Sequence, residues 1–327
     1  MKDIGLVGLP LSGKSTLFTA LTKMGAAGGR SNQAVVSVQD PRVETLAELE
    51  RSRKVVHAQV RFVDVAGALS AQGLAQLREA DALAIVLRAF GPDADSGRDM
   101  AAVRDELVLA DLAVVDSALE NARRRLKGGR SAGPDLVALE RAHEALSDET
   151  PLREADLEPE HVLELRSVAP LTLKPWIPVV NLEEGATIES VATPEDAALV
   201  WARLEAETAG MAEDEARALL KEFGVEEPGL DRVIAASYRA IDLVTFLTTG
   251  DDETRAWDVR RGATAQEAAG VIHSDFARGF IRAEVVSYDD LVAAGSWNEA
   301  KNRGLLRVEG RDYEVREGDV LHVRFNV

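Results

Sequence analysis

Gly8-Leu9-Pro10-Leu11-Ser12-Gly13-Lys14-Ser15 has the spacing Gly-x-x-x-x-Gly-Lys-Ser, in which several backbone N–H groups can converge on a phosphate. The apolar run "IGLVGL" leads into it and the helical pattern "TLFTALTKM" follows, so the positive end of a helix adds to the glycine-rich turn. Gly8, Leu11, Ser12 and Gly13 would supply the loop itself. Lys14 would reach the β- and γ-phosphates, Ser15 would ligate Mg²⁺, and Thr16 would contact the α-phosphate. What is held, and whether it is hydrolysed or only sensed, must come from other residues.

Two further stretches bear on that question. "RFVDVAGA" places Asp64 at the end of an apolar strand, where it can hold Mg²⁺ directly or through water, and places Gly67 three residues on, where its N–H can meet a γ-phosphate. The next residue is Ala68, at the position where many P-loop GTPases carry the glutamine that orients the attacking water. Alanine cannot do this, so no catalytic residue is assigned: either another group positions the water or hydrolysis is slow. "VVNLEEG" then gives Asn181-Leu182-Glu183-Glu184 at a strand end, where guanine-specific proteins use Asn-Lys-x-Asp. The lysine is absent and the acid is one methylene longer, which weakens the guanine-specific arrangement. Asn181, Leu182 and Glu184 are the base-binding candidates.

The elements that must position these residues alternate strand and helix at first. "IGLVGL", "VRFVDVAG" and "ALAIVLRAF" are short apolar runs of buried parallel strands, separated by helical patterns at 15–24 and 41–51. Asp40 and Pro41 start the second helix as cap and first helical residue. The alternation predicts an α/β fold with a doubly wound sheet. From Arg98 to Arg166 the periodicity becomes long and helical, broken at "KGGRSAGP", as in an inserted α-helical hairpin. "PWIPVVNL" would rejoin the sheet, a helical stretch covers 212–241, and short strands with turn signals fill the rest apart from the helix "TAQEAAGVIHSDF", capped by Thr264. The boundaries expected are 1–97 and 171–241 for the two parts of a P-loop NTPase domain, 98–170 for the insertion, and 242–327 for a C-terminal module.

Composition narrows the function classes. The 327 residues carry 56 acidic and 38 basic side chains, a net charge of −18, which opposes non-specific binding to nucleic acid or anionic membrane. The local basic run "ARRRLKGGR", from Arg123 to Arg130, reads as cations at a helix end. There is no cysteine, and the five histidines are scattered, so thiolate metal sites, disulfides and an H-E-x-x-H metalloprotease are excluded. No run is long and apolar enough for a bilayer, and a cytoplasmic location without membrane contact is expected.

Together these motifs resemble the YchF/Obg-like ATPase family of P-loop, translation-factor-related proteins. The match takes in "IGLVGLPLSGKSTLFTALTK", "DPRVETLAEL", "FVDVAG", "VVNLEEG", "EEPGLDRVI" and "GATAQEAAGVIHSDFARGFIRAEVVSYDDL". The resemblance implies a P-loop domain with an inserted helical hairpin and a C-terminal TGS-like domain of β-grasp type. It implies ATP preferred over GTP, with Asn181 and Glu184 matching the family's Asn-x-x-Glu and Phe90 matching an aromatic near the base. It also implies a ribosomal partner, the large subunit, or RNA. Departures fall on mobile loops: "GAAGGRSNQAVVSVQ" has no threonine matching the one near Mg²⁺, "ALSAQGL" is a shortened loop, and "GPDADSG" lacks a histidine implicated in hydrolysis. Weak or absent hydrolysis is therefore expected, with a GTP-binding factor or a non-catalytic ribosome or RNA interaction module as the other readings.

Overall fold

The structure is a computed structural model that describes residues 1–24, 32–128, 136–186, 193–194 and 196–326. Among the described residues the strands, in chain order, are β1 (Lys2–Val7), β2 (Gln33–Ser37), β3 (Val55–Val56), β4 (Gln59–Asp64), β5 (Ala82–Ala89), β6 (Trp176–Leu182), β7 (Ala198–Val200), β8 (Leu243–Thr248), β9 (Thr254–Arg260), β10 (Phe280–Ser287), β11 (Arg307–Glu309) and β12 (Asp319–Phe325). They form two sheets, and the chain folds as two compact units: 2–36 with 61–241, and 37–60 with Met1 and 242–327.

In the first unit the sheet order is β2-β4-β1-β5-β6-β7. β1 pairs in parallel with β5, β5 with β6, and β6 with β7. Strand β5 is buried on both faces from Ala82 to Leu87, which explains its unbroken apolar sequence. The doubly wound sheet is thus present, and "PWIPVVNL" does rejoin it as β6.

The inserted helices are Ser96–Lys127 and Leu136–Ser147, with a further short helix at Pro159–Leu165. The long helix has two jobs along its length. Val103 and Leu107 enter the core of the sheet, while Val115, Leu119 and Ala122 form a separate core with Ala138, Leu139, Ala142 and Leu146. The expected Gly-rich tip, including Arg130, lies outside the described residues. Of the basic run, Arg123 pairs with Glu140 at 2.8 Å and Arg124 with Glu120 at 3.5 Å, both pairs being exposed.

Asp111, fully buried on the long helix, anchors the insertion. Its carboxylate accepts from Arg78 Nη1 at 2.6 Å, from Leu171 N–H at 2.9 Å, and from Thr172 N–H and Oγ1 at 2.6 and 2.7 Å. Arg78 also donates to the carbonyls of Ala110 and Ala169. It directly follows the helix Ala71–Leu77, so one ion pair ties that helix to both ends of the insertion.

The second unit corrects one expected boundary. The segment 37–60, placed by sequence in the first domain, folds with 242–327. Its strand β3 adds to the edge of a sheet ordered β11-β10-β12-β8-β9-β3, pairing in parallel with β9. Its helix, Pro41–Glu50, is capped by Asp40 as expected and buries Val43, Leu46 and Ala47. The rest has the β-grasp arrangement: hairpin β8–β9, parallel pairing of β8 with β12, and β12 antiparallel to β10. The helix Ala265–Ile272, opened by a Thr264–Glu267 capping box, packs Ala265, Ala268 and Ala269 into the core beside Phe246 and Val285. No helix among the described residues is long and apolar enough to cross a membrane.

Candidate nucleotide site

The Gly-rich loop leaves the buried end of β1 and turns directly into the helix Lys14–Met24. Ser12 N–H donates to Leu9 O at 3.2 Å, and Leu17 N–H to Gly13 O at 2.9 Å, which starts the helix. Gly13 has φ +92°, and a Cβ there would lie 2.1 Å from Asn181 Nδ2. A side chain is therefore excluded twice, by conformation and by close approach.

Asn181, at the end of β6, is the reason for that closeness. Its amide donates from Nδ2 to Ser12 O at 3.2 Å and accepts at Oδ1 from Ala202 N–H at 3.1 Å. One buried side chain thus fastens the Gly-rich loop to the start of the helix Ala202–Thr208.

Lys14 Nζ donates to the carbonyls of Gly8 at 2.9 Å and Leu9 at 3.3 Å. Burial lowers its pKa below that of an ordinary lysine, against the opposing attraction of Asp64. Asp64, half-buried at the end of β4, has its carboxyl pushed up by burial, with Lys14 opposing. The two groups, far apart in sequence, therefore share one electrostatic environment. Ser15 and Gly67 are exposed, Thr16 is half-buried, and Ala68 is buried.

Ser12 and Leu11 differ sharply. Ser12 is 1 % exposed, and its hydroxyl has no protein partner among the described residues. Leu11 is 84 % exposed with φ +65°, a left-handed conformation that costs a residue with a Cβ about 1–2 kcal/mol. Because it buries almost nothing, Leu11→Asn is expected to raise stability by about 1 kcal/mol. An unchanged urea midpoint would show that the loop tip is not strained.

Beside the loop lies a cavity of about 420 Å³, lined by Gly13, Thr16, Phe90, Asn181, Leu182 and Glu184, and also by Glu183, Trp201, Arg203 and Leu204. Residues from four separate stretches of sequence are brought together here, the base-binding candidates among them. Leu182 is 4 % exposed and belongs mainly to the core. Trp201, Arg203 and Leu204 come from the stretch "WARLEAE", which carries no phosphate or base motif. They are placed by Glu205, a buried carboxylate that accepts from Trp201 N–H at 3.0 Å and Leu230 N–H at 2.8 Å. Burial pushes its carboxyl up, while these backbone donors oppose the shift. "EEPGLDRVI" now has a physical reason: a Cβ on Gly229 would lie 2.5 Å from Leu199 O and 2.6 Å from Glu205 Oε1.

A Gly-x-x-x-x-Gly-Lys-Ser loop between the first strand and first helix of a doubly wound sheet, with an aspartate ending a neighbouring strand, defines a P-loop protein of the GTPase class. Residues 3–120 match the family MMR_HSR1, described as 50S ribosome-binding GTPase, and residues 243–326 match YchF-GTPase_C, described as a protein of unknown function (DUF933). The ribosome-binding ATPase YchF of Haemophilus influenzae is 39% identical over 99% of both chains, and that of Bacillus subtilis 37% identical over 99% of both. The solved structure of the Schizosaccharomyces pombe YchF GTPase superposes with a TM-score of 0.88 at 28% identity, covering 99% of this chain and 97% of that one. The chain belongs to the YchF family.

Proposed function

We propose that this protein binds ATP in preference to GTP, together with Mg²⁺, hydrolyses it slowly, and acts on the ribosome in the cytoplasm. The observation that carries the reading is the shared cavity. Gly13 and Thr16 of the phosphate loop line it together with Phe90, Asn181 and Glu184, so one ligand can span both groups. The relatives named as ribosome-binding ATPases support the substrate and the partner.

In this reading Gly8, Leu11, Ser12, Gly13 and Gly67 offer backbone to phosphate, Lys14 adds charge, and Thr16 meets the α-phosphate. The donor set fits Mg²⁺: a serine hydroxyl and a carboxylate are hard oxygens, and Mg²⁺ takes one or two protein oxygens alongside phosphates and water. Ser15 and Asp64 would hold it, and the ion would neutralise charge on the β- and γ-oxygens. Asn181, Leu182, Glu184 and Phe90 would receive the base. Leu182 stands where guanine-specific proteins carry the lysine that lies against the guanine ring, which weakens the preference for guanine.

Slow turnover follows from Ala68, which is 3 % exposed and has no polar atom in its side chain to orient water, and from the absence of threonine in 25–39. A single-turnover assay with ATP and with GTP, with and without ribosomes, tests all parts together. Without a partner, turnover near or below roughly 10⁻³ per second is expected, the scale of P-loop enzymes lacking an arginine finger. Turnover of about one per second would show that a catalytic group is present after all. Tighter binding of GTP than ATP would overturn the base assignment.

A further inference from the structure

The rim of the cavity carries an ion pair whose two halves have opposite uses toward a purine. Arg203 Nε lies 3.4 Å from Glu184 Oε1 and 3.5 Å from Glu207 Oε1, one turn further along its own helix. Arg203 and Glu184 both line the cavity. The backbone just before Arg203 is held, because Ala202 N–H donates to Asn181 and Trp201 N–H donates to the buried Glu205. The Arg203 side chain is 78% exposed. Glu183 Oε2 lies 3.5 Å from the Gly91 N–H, so of the two glutamates that follow β6 it is Glu184 that pairs with Arg203.

Guanine shows two adjacent donors, N1–H and the N2 amine, and needs a carboxylate free to accept from both. A carboxylate already ion-paired with a guanidinium meets that demand only in part. Adenine shows a donor at N6 beside an acceptor at N1, so an acceptor and a donor standing side by side match it. We propose that Arg203 is a specificity-determining residue of this site: paired with Glu184, it withholds the guanine-reading carboxylate and offers adenine N1 a donor. The inference rests on the nucleotide-binding function proposed above.

Exposed ion pairs are weak, so the effect is a bias and not a switch. Arg203→Ala is expected to lower the ratio of ATP to GTP affinity about fivefold, chiefly by tightening GTP. In a Glu184→Gln background the same substitution should leave the ratio within twofold, because no carboxylate remains to be unmasked. Titration calorimetry with ATP and GTP on the four proteins of this cycle reads the result directly. Wild type that binds both nucleotides, with a ratio unmoved by Arg203→Ala or moved equally in both backgrounds, would overturn this inference alone. Wild type that binds neither would overturn the nucleotide reading and this inference with it. The exposure of Arg203 keeps its loss from disturbing the fold.

Discussion

Lys14→Ala abolishes measurable binding of ATP and GTP, a loss of at least about 100-fold, because charge-assisted hydrogen bonds to phosphate contribute roughly 1.5–3 kcal/mol each. The fold survives, since the variant loses only the bonds to the Gly8 and Leu9 carbonyls, and the charge it removes is disfavoured by burial. Calorimetry and a urea titration on the same protein check both halves. Retained affinity would remove the phosphate loop from the site. A pH dependence accompanies this in the wild type. The ammonium pKa is lowered by burial, so its proton is lost before pH reaches 10.5, and nucleotide affinity falls as pH rises through that lowered value. The carboxyl of Asp64 is raised by burial above 3.8, so any dependence on Mg²⁺ weakens as pH falls through it.

Asp111→Ala is expected to destabilise the first unit by about 3–5 kcal/mol, the cost of breaking a buried ion pair and leaving one charge behind. Arg78, whose side chain is 15% exposed, would keep its guanidinium beside the empty position. Leu171 N–H and Thr172 N–H would lose their acceptor as well. A urea midpoint within experimental error of wild type would mean that water substitutes for the carboxylate and that the insertion is held by its apolar contacts alone. Since Arg78 closes the helix that begins at Ala71, amide exchange in that helix should quicken in the variant.

The sheet, the Gly-rich loop and the caps were legible because each is written within a few consecutive residues. Asp40 before Pro41, and Thr264 three before Glu267, are local signals that need no tertiary knowledge. The segment 37–60 was misplaced because what decides its unit is not local. Strand β3 is two residues long, too short for any periodicity, and its partner lies at Thr254 and Arg255. Asp111 is one acid on a helix rich in exposed acids, and only its partners, 33, 60 and 61 residues away in sequence, distinguish it. Likewise Trp201 and Arg203 line the cavity, with the Trp201 N–H held by Glu205, whose carboxylate leaves no room for a Cβ on the distant Gly229. The run "TAQEAAGVIHSDF" reads as one helix, but His273 adopts extended backbone and its side chain accepts from Asp275 N–H, which starts a second helix at Ser274. A side chain that caps its own neighbour can break a pattern that periodicity alone would continue.

The return of 37–60 to the C-terminal sheet also sets a waiting time during synthesis. Val43, Leu46 and Ala47 leave the ribosome early, yet β9, against which β3 pairs, is made about 200 residues later. At elongation rates of roughly 5–20 residues per second that interval is about 10–40 s. Throughout it the apolar face of Pro41–Glu50 has no sheet to cover it. A nascent chain halted anywhere before residue 254 therefore carries this face uncovered, which makes the segment a natural point of contact for a chaperone, and a point of aggregation where none is at hand.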